Sequence, residues 1–112
     1  VLLTGVVSLG QGSSTYSSFV HLDRGGTEIG MGASQGSRRR VHTGANPTNN
    51  VITGVSINYL DSPSATGSVV YKVQLSTESG GTAYVNRSGT DTNNNNYMRS
   101  LCTLTALVID GS

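Results

Sequence analysis

Nowhere in this chain of 112 residues do apolar side chains recur at the i, i+3, i+4, i+7 spacing that would give a helix a buried stripe. Short β-rich runs are instead cut every ten residues or so by Gly, Asn, Ser or Asp, and that rhythm confines the fold to the all-β class. Eight runs can be delimited: VLLTGVVSL (1–9), TYSSFVHLD (15–23), TEIGMG (27–32), RRRVHT (38–43), VITGVSINYL (51–60), SVVYKVQLST (68–77), TAYVNRS (82–88) and SLCTLTALVI (100–109). Eight short strands with frequent turns predict a single antiparallel β-sandwich over residues 1–112, jelly-roll-like in its strand count. Alternation assigns faces. Val20 and Leu22 share one side of the second run, with Phe19 and His21 on the other; Val55, Ile57 and Tyr59 share a face, and Tyr71, Val73 and Leu75 point inward. RGG (24–26) and DSPSATG (61–67) carry turn chemistry. The closing run is apolar on both faces, so it is expected to be covered on both, by the core and by a loop or a neighbouring subunit.

Composition matters at this point because it limits the core. Gly, Ser, Thr and Asn supply 53 of the 112 residues, there is one Phe and there is no Trp. A core this thin is marginal for an isolated monomer, which points to a homo-oligomer. The chain begins with Val1 inside an apolar run, as the C-terminal part of a longer polypeptide would. A formal net charge of +1 argues against nucleic acid as a partner, and the one basic run, Arg38–Arg40, reads as a solvated strand edge. No apolar stretch long enough for membrane insertion is present. The single cysteine, Cys102, has no internal partner and reads as a small core residue.

Chemistry-bearing patterns are sparse. Asp91, Asn93 and Asn95 have the one-three-five spacing of a calcium loop, but the Gly and the distal Glu of such a loop are missing. Asn86-Arg87-Ser88 fits a glycosylation sequon. Against both stands the plainer reading, that asparagines suit a tight polar turn. His21 and His42 lie on separate runs with no carboxylate at metal spacing, and nothing in the sequence selects a catalytic pair among the dispersed acids. No catalytic residue, metal or cofactor is therefore expected, and the chain reads as non-enzymatic.

Several segments together, HLDRGGTEIGMG, GSRRRVHTG, SINYLDSP, VVYKVQLST, AYVNRS and CTLTALVI, resemble a β-domain that recurs in structural proteins of tailed, especially marine, bacteriophages. The similarity runs from about Phe19 to Ile109, with LDRG (22–25), LDSP (60–63) and YVNRS (84–88) as its most specific motifs. The resemblance implies a virion location, association with other virion proteins and trimeric assembly in a tail fibre or related appendage. A capsid decoration protein, or a carbohydrate-binding module of a secreted bacterial protein, are the alternatives. Asp23, Arg24, Asp61, Asn86 and Arg87 are expected to be structural, Arg87 by reaching a carboxylate such as Asp61 or Asp91. If the module contacts a host surface glycan, the candidate residues are Asn46, Asn49 and Asn50 in one loop and Asn93, Asn95 and Tyr97 in another.

Overall fold

The computed structural model describes residues 1–13, 15–65 and 67–109. Its strands are β1 (Leu2–Gln11), β2 (Ser18–Arg24), β3 (Thr27–Ile29), β4 (Thr43–Ala45), β5 (Thr53–Leu60), β6 (Tyr71–Thr77), β7 (Ala83–Val85) and β8 (Thr103–Leu107). They form two antiparallel four-stranded sheets built on one plan. In each, a long central strand has one full-length neighbour on one edge and two short strands end to end on the other. β1 pairs with β5 on one side and with β8 and β7 on the other; β2 pairs with β6 on one side and with β3 and β4 on the other. The fold is thus the expected all-β sandwich of eight strands, and the pairing supports it at that level, without the finer jelly-roll connectivity.

The core is the meeting of the two central strands. Leu3, Val7 and Leu9 from β1 face Val20 and Leu22 from β2, joined by Ile29 and Ile57; these seven form the buried apolar cluster. Val55, Tyr59, Tyr71, Val73 and Cys102 pack against this cluster from its edges. The faces read from alternation hold for β2 and β5, and for β6 except at its end, where Leu75 is exposed.

The β2–β3 hairpin shows how the sequence sets register. Gly25 and Gly26 both take positive φ (57° and 97°), the backbone of a two-residue turn that suits the twist of the paired strands. The turn closes Arg24 against Thr27 and Asp23 against Glu28, and the Asp23 carboxylate accepts the Gly26 N–H at 2.8 Å.

Two expectations are corrected. Residues 38–43 do not form a strand: Arg38–Arg40 lie exposed outside any strand, and pairing begins only at Thr43, continuing into the expected loop as far as Ala45. Three consecutive guanidinium groups repel one another and need water, which opposes sheet formation there. Arg40 instead donates to Gly32 O, and Arg39 lies over the Phe19 ring. The closing strand, expected to be covered by the core on one face and by a loop or a neighbouring subunit on the other, is exposed along its whole length within the single chain, on the core side as well. It pairs with β1 on one edge, and among the described residues no other strand pairs with it.

Candidate functional site

The two loops singled out in the sequence come together at one end of the sandwich. Beyond β7 the chain turns at Asn86, whose φ of 64° is a left-handed conformation that Asn tolerates well. The following segment lies flat against the end of β1. A Cβ on Gly10 would stand 2.0 Å from Arg87 O, and one on Gly89 would stand 2.2 Å from Gln11 O, so any side chain at either position would push the loop away. Thr90 N–H then donates to Asn49 O at 2.6 Å, linking residues 89–97 to residues 44–50.

Arg87 anchors this loop, through more than the carboxylate contact read from the sequence. Asp61 is engaged by Arg24, Asp91 pairs with Arg99, and Arg87 reaches Asp91 only at 3.9 Å. Its guanidinium lies 4.1 Å from the Tyr84 ring centre and donates to Ser88 O and Gly89 O. The Asn86 side chain accepts from the Cys102 thiol at 2.9 Å, while its backbone N–H holds Ser8 O.

The loop encloses a depression of about 400 Å³ lined by Asp91, Thr92, Asn93, Asn94, Tyr97, Met98 and Arg99. Of the sequence candidates, Asn93 and Tyr97 line it. Asn95, Asn46 and Asn50 are exposed outside it, and Asn49 contributes its backbone carbonyl to the loop–loop contact. The hydrogen bond from Arg99 holds the Asp91 carboxyl below its ordinary value. With two guanidinium groups around Asp91, a calcium ion at Asp91, Asn93 and Asn95 would meet net repulsion, and among the described residues no group of three or more His, Cys, Asp or Glu could hold a metal. Amides, a hydroxyl and the half-buried Tyr97 ring offer neutral hydrogen-bonding and stacking surface, which suits a polyhydroxylated ligand.

At the opposite end, Asp61 is the centre of a structural network. It is 4% exposed, accepts from Arg24 at 2.5 Å and from the Tyr71 hydroxyl at 2.7 Å, and its backbone exchanges hydrogen bonds with Val1. Burial pushes its carboxyl up, but the Arg24 and Tyr71 bonds outweigh burial and hold it below its ordinary value.

Two groupings escaped the sequence reading. Gln11, fully buried, donates to Ser18 and Thr77 and accepts the N–H groups of Ser13 and Thr82, so one amide ties together the ends of both sheets. On the outer face of β2, His21 lies between Glu28 and Ser76. Gln11 on β1 and His21 on β2 carry no local signal for the partners that come from β6 and the β6–β7 connection, Thr77 and Thr82 for Gln11 and Ser76 for His21.

Comparison of the chain with protein-family models, with curated proteins and with solved structures returns no match.

Proposed function

We propose that this chain is a structural and adhesive module that assembles with copies of itself and presents its loop end to a surface. The observation that carries this reading is the closing strand. Among the described residues β8 has one hydrogen-bonded neighbour, β1, and Leu101, Leu107, Val108 and Ile109 are each more than half exposed, Val108 at 78%. Leu107 also completes an apolar row across the outer face with Leu2 and Leu60. On the inner side, Leu104 and Cys102 border an apolar cleft with Val73, Leu75 and Val85, where the two sheets part.

The area agrees with a missing partner. The chain exposes 6853 Å², about 1,000 Å² more than the ~5,800 Å² of a compact protein of this mass. A standard interface buries about 800 Å² on each partner. An uncovered apolar edge strand is also a pairing and aggregation hazard that soluble monomers avoid. A second copy on β8 removes both problems. The motif resemblance suggests the setting: a trimeric tail fibre or related virion appendage, with capsid decoration as the other placement within the same reading.

The test is the mass of the purified protein by light scattering across a dilution series. A multiple of the 11.6 kDa chain mass, reduced by Leu104→Asp, supports the reading; a well-folded monomer at micromolar concentration overturns it.

A further inference from the structure

On the outer face of the second sheet, away from both the loop end and β8, His21 joins a carboxylate to a hydroxyl. Its Nδ1 lies 3.0 Å from Glu28 Oε2 and its Nε2 lies 2.6 Å from Ser76 Oγ. The three side chains stand on three adjacent strands. The register sets Asp23 opposite Glu28 and His21 opposite Gln74, so both partners of His21 are its diagonal neighbours, one on either side. Diagonal spacing is within the reach of an aromatic ring across a sheet, and it leaves one ring nitrogen facing each partner.

The proton positions follow from donor chemistry. An ionised carboxylate only accepts, so Glu28 places the proton of the neutral imidazole on Nδ1. Nε2 is then an acceptor, and the Ser76 hydroxyl must donate to it. Both hydrogen bonds run in the direction required of a nucleophile, a general base and an orienting acid. The site is accessible: the His21 and Glu28 side chains are 18% and 37% exposed, and with Gln74, Leu75 and Ser76 they line a shallow open depression.

We propose that Ser76 is an activated nucleophile that accepts acyl groups from carboxylic esters, with His21 as its general base and Glu28 as the residue that orients His21. Ser76 Oγ attacks the ester carbonyl carbon while its proton passes to His21 Nε2. The bond to the leaving alcohol breaks, and His21 returns the proton to the departing oxygen. Water then attacks the acyl group on Ser76, giving its proton to His21; the carboxylic acid leaves and the serine hydroxyl is restored. The cycle needs no oxidant, reductant or metal. Gln74, opposite His21 in the register, lines the same depression and carries an amide N–H of the kind that stabilises an oxyanion.

A fluorophosphonate probe tests this directly, because attack by an activated serine oxygen on phosphorus expels fluoride and leaves a stable adduct. Intact-mass and peptide mass spectrometry should find one adduct, on Ser76, absent in Ser76→Ala. His21→Gln should slow labelling by about 100-fold or more, the scale of a lost general base. Glu28→Gln, which keeps the shape but accepts less strongly, should slow it by a smaller factor. Circular dichroism and thermal melting establish that each variant is folded, and if His21→Gln is not, Glu28→Gln decides. The absence of a Ser76 adduct in the folded wild-type protein, or labelling unchanged in the folded variants, overturns the proposal and leaves the three residues as a cross-strand strut.

Discussion

Removing the Gln11 amide should cost this domain a large share of its stability. Gln11 is fully buried, and its Oε1 is the acceptor for the Thr82 N–H at 2.8 Å and the Ser13 N–H at 3.3 Å. Its Nε2 donates to Thr77 and Ser18, whose hydroxyls keep other partners at Ser17 O and Gly10 O. A Gln11→Met variant preserves volume and flexibility but leaves two backbone donors without an acceptor. At about 1–3 kcal/mol per orphaned buried group, with the longer Ser13 bond at the low end, the loss is ~3 kcal/mol. A domain of this size has about 5–15 kcal/mol in total, and ~3 kcal/mol lowers the melting temperature by roughly 12 °C. Thermal and urea unfolding at one fixed protein concentration measure it, since self-association makes the midpoint concentration-dependent. A Gln11→Met protein within about 0.5 kcal/mol of wild type, well below one orphaned donor, would refute the claim that this amide ties the sheets together.

Leu104→Asp places a carboxylate in the apolar cleft beside β8 and should lower the solution mass without lowering the β content, as light scattering with circular dichroism would show. The Asp61 carboxyl is depressed in the folded state, so its contribution to stability is full above its unfolded pKa of about 3.9 and is lost as pH falls through the folded value. The stability gap between wild type and Asp61→Asn in urea melts should therefore be constant near neutrality and close below about pH 4; a gap independent of pH would contradict the Asp61 network. Arg87→Ala should destabilise the domain by about 1–2 kcal/mol through the lost Tyr84 stack and carbonyl bonds, and an unchanged melting temperature would count against that anchor. Replacing Asn93–Asn96 by a Gly-Ser stretch should abolish glycan-array or host-cell adsorption if the loop depression binds; unchanged adsorption by a folded variant removes it from the recognition surface.

The strands were legible because their signals are local. Alternation at Val20 and Leu22, the paired glycines after Arg24, and the Val55, Ile57, Tyr59 face each depend on neighbours within a few residues. What could not be read depends on which strand lies beside which. β1 is the centre of the first sheet because it pairs with β5, β7 and β8, all more than forty residues away. The exposure of β8 follows from its edge position, whereas its composition alone argued for burial on both faces. The Glu28 half of the His21 relay was within reach, since the two-residue turn fixes the hairpin register. The Ser76 half was not, because nothing local pairs β2 with β6. The Arg87 contacts were legible only in part for a similar reason: Asp91 does lie within 3.9 Å of Arg87 but has a closer guanidinium partner in Arg99, and the Tyr84 ring contact could not be read from the sequence.

The central claim, that the free edge of β8 is an interface, comes down to two amides. Ser8 directs its N–H to Cys102 Sγ and its C=O to Asn86 N–H, so the even-numbered residues of β1 face the β7 and β8 side. By the alternation of an antiparallel pair, Thr103, Thr105 and Leu107 bond to β1, whereas Leu104 and Ala106 point their N–H groups to the open edge. Residue-resolved hydrogen exchange should find Leu104 and Ala106 protected in concentrated protein, with protection lost on dilution while Thr103 and Thr105 keep theirs. Leu104 and Ala106 exchanging at the rate of an unstructured peptide at every concentration would contradict the account.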